Sequence, residues 1–246
     1  MNRKGQITLF IIVGIVLLII AGLVVFIVKG PAIIRTGKED LPTVQAYVEE
    51  CLEEVSYDAI YLLGEQGGYI YFDSQPVYHD EIVAAYHCYE GRDVTPTVEA
   101  MEAHISTYVI LNMERCLDDF SSYRHLNMNI QTGEMKADTI VGIDDVFIKL
   151  DYSVSYAEED GIKTINQFTA SVPVRLGHIQ SIVKDIAEKR LELPKQTDLE
   201  FLSRFDIEIN VRYMGDRDIL FEITDPLSKE EKRGDYLFNT LVKLIP

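Results

Sequence analysis

Residues 7–28 read ITLFIIVGIVLLIIAGLVVFIV, 22 positions without a single charge. Wound as a helix at 1.5 Å per residue, the run spans about 33 Å, the thickness of a bilayer's hydrocarbon core. A buried core helix seldom stays apolar on every face for so long. A cleaved secretory signal has a shorter apolar core followed by small residues, and nothing after Val28 resembles Ala-x-Ala. The expected organisation is a cytoplasmic basic tail at 1–6, a transmembrane helix at 7–28, a linker at 29–41 and a folded domain at 42–246. A composition change near residue 127, from helical to strand-rich, leaves one or two ectodomain units open.

Charge supports the same division. The chain has a formal net charge of −17, yet every acidic residue lies beyond position 38. Arg3 and Lys4 stand close before the apolar run, and only Lys29 stands equally close after it. Basic residues favour the cytoplasmic side, so the reading places the N-terminus inside and the bulk of the chain outside the cell membrane. Beyond position 28 the chain carries 21 Lys and Arg against 40 Asp and Glu. An excess of that sign disfavours nucleic acid, because a phosphate-backbone binder needs clustered cations.

The opening Arg3-Lys4-Gly5-Gln6-Ile7-Thr8-Leu9-Phe10 resembles the class III signal peptides of archaeal type IV pilin-like proteins. Those have a short basic tail, Gly-Gln, a hydroxyl residue two positions on, and then an apolar helix. The resemblance covers about thirty residues. It implies an archaeal source, cleavage between Gly5 and Gln6 by a prepilin peptidase, and membership in a surface or pilus-like assembly. Two positions depart from the pilin pattern. Phe10 stands where many pilins place Glu, and Lys29-Gly30-Pro31 ends the helix where a pilin stalk usually continues.

Beyond the linker, Pro42 opens a helix whose apolar positions Val44, Val48, Cys51, Leu52, Val55, Ala59, Leu62 and Leu63 follow a 3.6-residue period, with Gly64 and Gly67-Gly68 as its stop. A second helix runs from Thr95-Pro96 to Phe120. Short strands are expected at 69–72 and 82–89. Residues 145–156 alternate apolar and polar, and 162–176 answer them across a turn at 157–161, forming an antiparallel hairpin. Pro173 points to an edge or a bulge. A third helix is expected at 177–191, a helical turn at 198–205, a hairpin through Gly215-Asp216-Arg217 and a last strand at 236–245. The fold class is α+β: a transmembrane helix, then a mixed ectodomain of antiparallel β-hairpins with packed amphipathic helices.

The chain has no nucleophile elbow, zinc-protease motif, P-loop, dinucleotide fingerprint or Cys-x-x-Cys. His79, His87, His104 and Cys88 match no zinc-ligand frame, so no metal or cofactor is expected. Cys51 and Cys116 each lie on the apolar face of a helix. Outside the cytoplasm they either pair, if the helices pack together, or remain buried thiols, and Cys88 is left over. Tyr69 and Tyr71, in a Tyr-rich stretch, form a candidate interaction surface for sugar or protein, or else half-buried sheet positions. The expected role is structural or in recognition at the cell surface, without catalysis, alone or in self-assembly with protein partners. The rival is a membrane-tethered enzyme or solute-binding domain whose site is assembled from scattered residues.

Overall fold

Two Pro-Thr-Val sequences start the first two long helices. Thr43 and Thr97 each accept, at Oγ1, the backbone N–H three residues on, at 3.2 Å, so a hydroxyl satisfies an amide that the helix leaves free. Helix α1 is Val44–Glu65 and α2 is Val98–Leu117. The computed structural model describes residues 42–126, 128–158, 161–193, 197–230 and 232–244. The apolar run 7–28, the Gly5–Gln6 junction and the linker 29–41 lie outside the described residues. Among the described residues no helix is long and apolar enough to cross a membrane.

The architecture is α+β. Between α1 and α2 come β1 (Val77–His79), β2 (Val83–Tyr89) and the two-residue β3 (Arg92–Asp93). After α2 and a 3-10 segment at Asp118–Leu126 come β4 (Gln131–Val141), β5 (Val146–Glu158) and β6 (Gly161–Val172). Helices α3 (Leu176–Glu192) and α4 (Leu199–Leu202) lead into β7 (Glu208–Tyr213), β8 (Asp218–Glu230) and β9 (Gly234–Lys243). Strands β4-β5-β6 form an antiparallel meander. The larger sheet runs β1-β2-β9-β8-β7, with β3 pairing on β2. Its one parallel pair is β2 with β9.

The core lies where α1 meets both sheets. Its buried stripe, including Val48, Leu52, Val55, Ile60 and Leu63, packs against α2, β6 and β9. The inward side chains of β5 (Ile148, Leu150, Val154) and of β9 (Tyr236, Phe238) are buried with it. Helix α3 packs on β2, β3 and β9.

Three sequence expectations change. The glycine stop of α1 falls on left-handed Gly67 and Gly68, just past its last residue Glu65, whereas Gly64 lies inside the helix; a Cβ there would fall 2.5 Å from the Leu237 carbonyl oxygen and from the Tyr236 hydroxyl. Residues 69–72 form no strand. Gln75 holds them in an irregular loop: its Nε2 donates to the Tyr71 carbonyl, and its Oε1 accepts from the Asp73 and Ser74 amides. Helix α2 ends at Leu117 and not at Phe120, because Asp118, Asp119 and Phe120 all take left-handed backbone, with φ of 43°, 49° and 52°. Pro173 follows β6, an edge strand of its sheet, whose last residue is Val172.

The start of α3 is tied to β8 by charge. Arg175 donates from Nε and Nη2 to the two oxygens of Asp225, at 2.9 and 2.7 Å, and its backbone N–H donates to Ser228 Oγ. Asp225 and Ser228 flank Pro226 where the β8–β9 register slips, so the bulge turns the carboxylate inward. Asp225 is fully buried. Removing one member of such a pair leaves a charge without water or partner. Arg175→Ala is therefore expected to lower stability by about 3–5 kcal/mol in urea unfolding, whereas the exposed pair Arg204–Glu200 should contribute about 0–1 kcal/mol on removal.

Candidate interaction surface and buried polar groups

After α1 the chain threads between two strands. Gln66 C=O accepts the Ala85 amide of β2 at 3.0 Å. Gly67 sits at φ 75°, where a Cβ would fall 2.9 Å from the Asn239 carbonyl oxygen of β9. Glycine is required there for both reasons. This passage delivers Tyr69, Tyr71 and Phe72 to the surface as half-buried side chains. The rings of Tyr69 and Tyr71 both approach His104 of α2, at centroid distances of 5.4 and 5.9 Å. Phe72 lies 6.5 Å from Tyr69 and 6.4 Å from His79.

The two Tyr singled out in the sequence thus share one aromatic cluster, built around a histidine that the sequence reading did not connect to them. Burial pushes the His104 imidazole below its ordinary pKa, against the pull of Asp73. Burial raises both tyrosine hydroxyls, that of Tyr71 with a contribution from Tyr108. At neutral pH the cluster therefore offers aromatic faces, uncharged hydroxyls and a neutral imidazole, groups suited to stacking and hydrogen bonding.

His87 on β2, against the Gly67 passage, is fully buried. Its Nδ1 is bonded to Thr240 Oγ1. Its Nε2, beside the Gly67 backbone, has no partner in hydrogen-bond geometry. Desolvation lowers its pKa to about 4, against smaller opposing effects from Gly67 and Asp93. Cys88, next in sequence, is buried beside Arg190, and the two help line a cavity of about 210 Å³ with Gly91 and Lys243. Burial raises the Cys88 thiol pKa, which keeps it a protonated, unreactive thiol. Among the described residues no group of three His, Cys, Asp or Glu is placed to hold a metal ion.

A second polar cluster extends the Arg175–Asp225 pair. Arg175 Nη1 reaches Asp206 at 3.0 Å, and His178 Nε2 lies 2.8 Å from the other Asp206 oxygen. Arg175, then His178, hold the Asp206 carboxyl down at about 2. Burial pushes Asp225 upward, but Arg175 and Ser228 outweigh it and leave that carboxyl below its usual range. Sequence spacing puts Arg175 and His178 at one helix end, yet nothing local names Asp206 or Asp225 as their partners.

Cys51 and Cys116 are joined by a disulfide, with an S–S distance of 2.11 Å, and Cys88 stays free. The chain matches no known protein family, no curated protein and no solved structure. The fold and these clusters therefore define an α+β domain without an assigned relative.

Two outcomes follow from the geometry. Tyr69→Ala and Tyr71→Ala should each cost less in urea unfolding than the roughly 3–5 kcal/mol of a fully buried aromatic, because the rings are half exposed. The second outcome concerns pH. His87 is neutral in the fold and takes a proton on unfolding below pH 6.5, so its contribution is complete above 6.5 and is lost as pH falls toward 4. That amounts to about 3 kcal/mol at 1.36 kcal/mol per pH unit, with His104 acting in the same direction. His87→Gln should flatten urea stability measured between pH 7 and 4.

Proposed function

We propose that residues 7–28 anchor this chain in the cell membrane with its N-terminus cytoplasmic, and that residues 42–246 work outside as a structural or recognition domain. Within that reading it is a pilin-like subunit or an assembly component, processed between Gly5 and Gln6 by a prepilin peptidase. The observation that carries the proposal is the Cys51–Cys116 disulfide, which pairs the first two helices after the apolar run. Disulfides persist in oxidising compartments, whereas cytosolic thiol buffers keep most such pairs reduced. The net charge of −19 beyond residue 28 adds to it, since one sign of charge keeps a displayed domain soluble and off an anionic membrane surface. The Tyr69–Tyr71–His104 cluster is the surface assigned to partner contact.

Protease added to intact cells should digest residues 42–246, and N-terminal sequencing of the membrane-bound protein should begin at Gln6. A chain that is fully protected in intact cells, and cut only after lysis, would overturn the orientation. A sole N-terminus at Met1 or Asn2 would overturn the processing.

A further inference from the structure

Three ties meet where the chain passes from residue 42 into α1. Tyr123 Oη donates to the Pro42 carbonyl at 2.7 Å. Tyr47 Oη donates to the Cys116 carbonyl at 2.9 Å. One turn further on, Cys51 is covalently joined to Cys116. The rings of Tyr47, Phe120 and Tyr123 pack together, with centroids 5.5 to 6.3 Å apart. Phe120 reaches that position through the left-handed backbone at Asp118–Phe120, a conformation that costs non-glycine residues energy and survives only where neighbours enforce it. Two hydrogen bonds, a ring cluster and a covalent bond thus fasten the start of α1 and the residue pair ahead of it to the far end of α2 and the segment that follows.

We propose that this arrangement is a tension clamp: it carries pull applied through the N-terminal segment and keeps the central helix out of the load path. With the disulfide closed, tension entering at residue 42 crosses from Cys51 to Cys116. Residues 52–115, which include most of α1, the β1–β3 strands and most of α2, then lie off the covalent path that carries it. With the disulfide open, the same tension runs along α1 and peels it from β6 and β9, the packing on which the core rests. Tyr47 and Tyr123 secure the nine residues ahead of Cys51, which the disulfide does not protect. A domain displayed on a tether needs such a device, so the inference rests on the anchoring reading for its purpose. Its physics depends only on the Cys51–Cys116 clamp and the packing of α1 on β6 and β9.

The test holds the full chain in detergent micelles at constant tension. One peptide-tag handle is at the N-terminal end and the other at the Gly215 turn, where an added Cβ meets nothing within 4 Å. Treatment with a dithiol reductant should raise the rate of first extension at least tenfold and lengthen full extension by about 220 Å, at 3.3–3.6 Å for each of the residues released. Tyr47→Phe with Tyr123→Phe should add a short early extension, with the disulfide intact. In a second geometry the handles grip the Gly215 turn and the C-terminal end, so the disulfide lies outside the pulled segment, and reduction should leave the rate unchanged. Equal acceleration in both geometries would make the disulfide a general stabiliser and overturn the clamp, as would no acceleration in either. Reducing the folded wild-type chain avoids dependence on Cys variants that fail to fold. Loss of the clamp leaves the anchoring reading intact, and protease protection in cells tests that reading alone.

Discussion

The close approach of α1 to β9 at Gly64 sets the spacing on which the rest of the domain depends. With no side chain at that position, the helix backbone comes within reach of Leu237 and Tyr236. Tyr236 Oη can then donate to the Ile60 carbonyl at 3.1 Å, so a fully buried hydroxyl is satisfied by a helix that would otherwise stand too far away. The same approach brings Gln66 and Gly67 between β2 and β9, where Asn239 Nδ2 donates to the Glu65 carbonyl. Those contacts fix the direction in which the chain leaves the helix, and so fix where Tyr69 and Tyr71 emerge.

Electrostatics follows from that packing. The domain is strongly acidic, and its fully buried carboxylate, Asp225, meets Arg175 at the β8 bulge. That pair joins the N-terminal end of α3 to the larger sheet, while α1 joins the larger sheet to the smaller one. His87 shows the opposite strategy for a buried titratable group: it is held neutral by desolvation, with Thr240 as its partner. Both arrangements bind the stability of the domain to a pH range: the histidine contribution is lost between pH 6.5 and 4, and that of the Arg175-bound carboxylates below it.

Much of this was legible in the chain itself. Helical period located α1, the start of α2, and α3, alternation located β5, β6 and the β7–β8 hairpin, and a final apolar run located β9, because those elements each bury a face and must show it in sequence. Strand β4 shows its alternation only weakly: Met135, Ala137, Thr139 and Val141 turn inward, but just Thr139 is buried, and Glu134, Lys136 and Asp138 face out. The left-handed turn at Asp118–Phe120 breaks α2 without a glycine or proline to announce it. The candidate surface was half legible: Tyr69 and Tyr71 stand out by composition, but His104 joins them from a helix more than thirty residues away. Asp206 and Asp225 were invisible for the same reason, since partners chosen by tertiary folding leave no local spacing.

That weakly patterned β4 strand has a consequence of its own. Its outer edge has no strand partner, and such an edge is the usual route by which one sheet recruits a strand from a neighbour; at its C-terminal end the Val141 amide is already taken by Glu102 Oε1 at 2.9 Å. Here the approach is lined with charges of both signs, and the register slips between Thr132 and Met135, so the edge is neither flat nor apolar. When copies of this domain crowd together, β4 resists sheet-to-sheet fusion at its own edge of the meander.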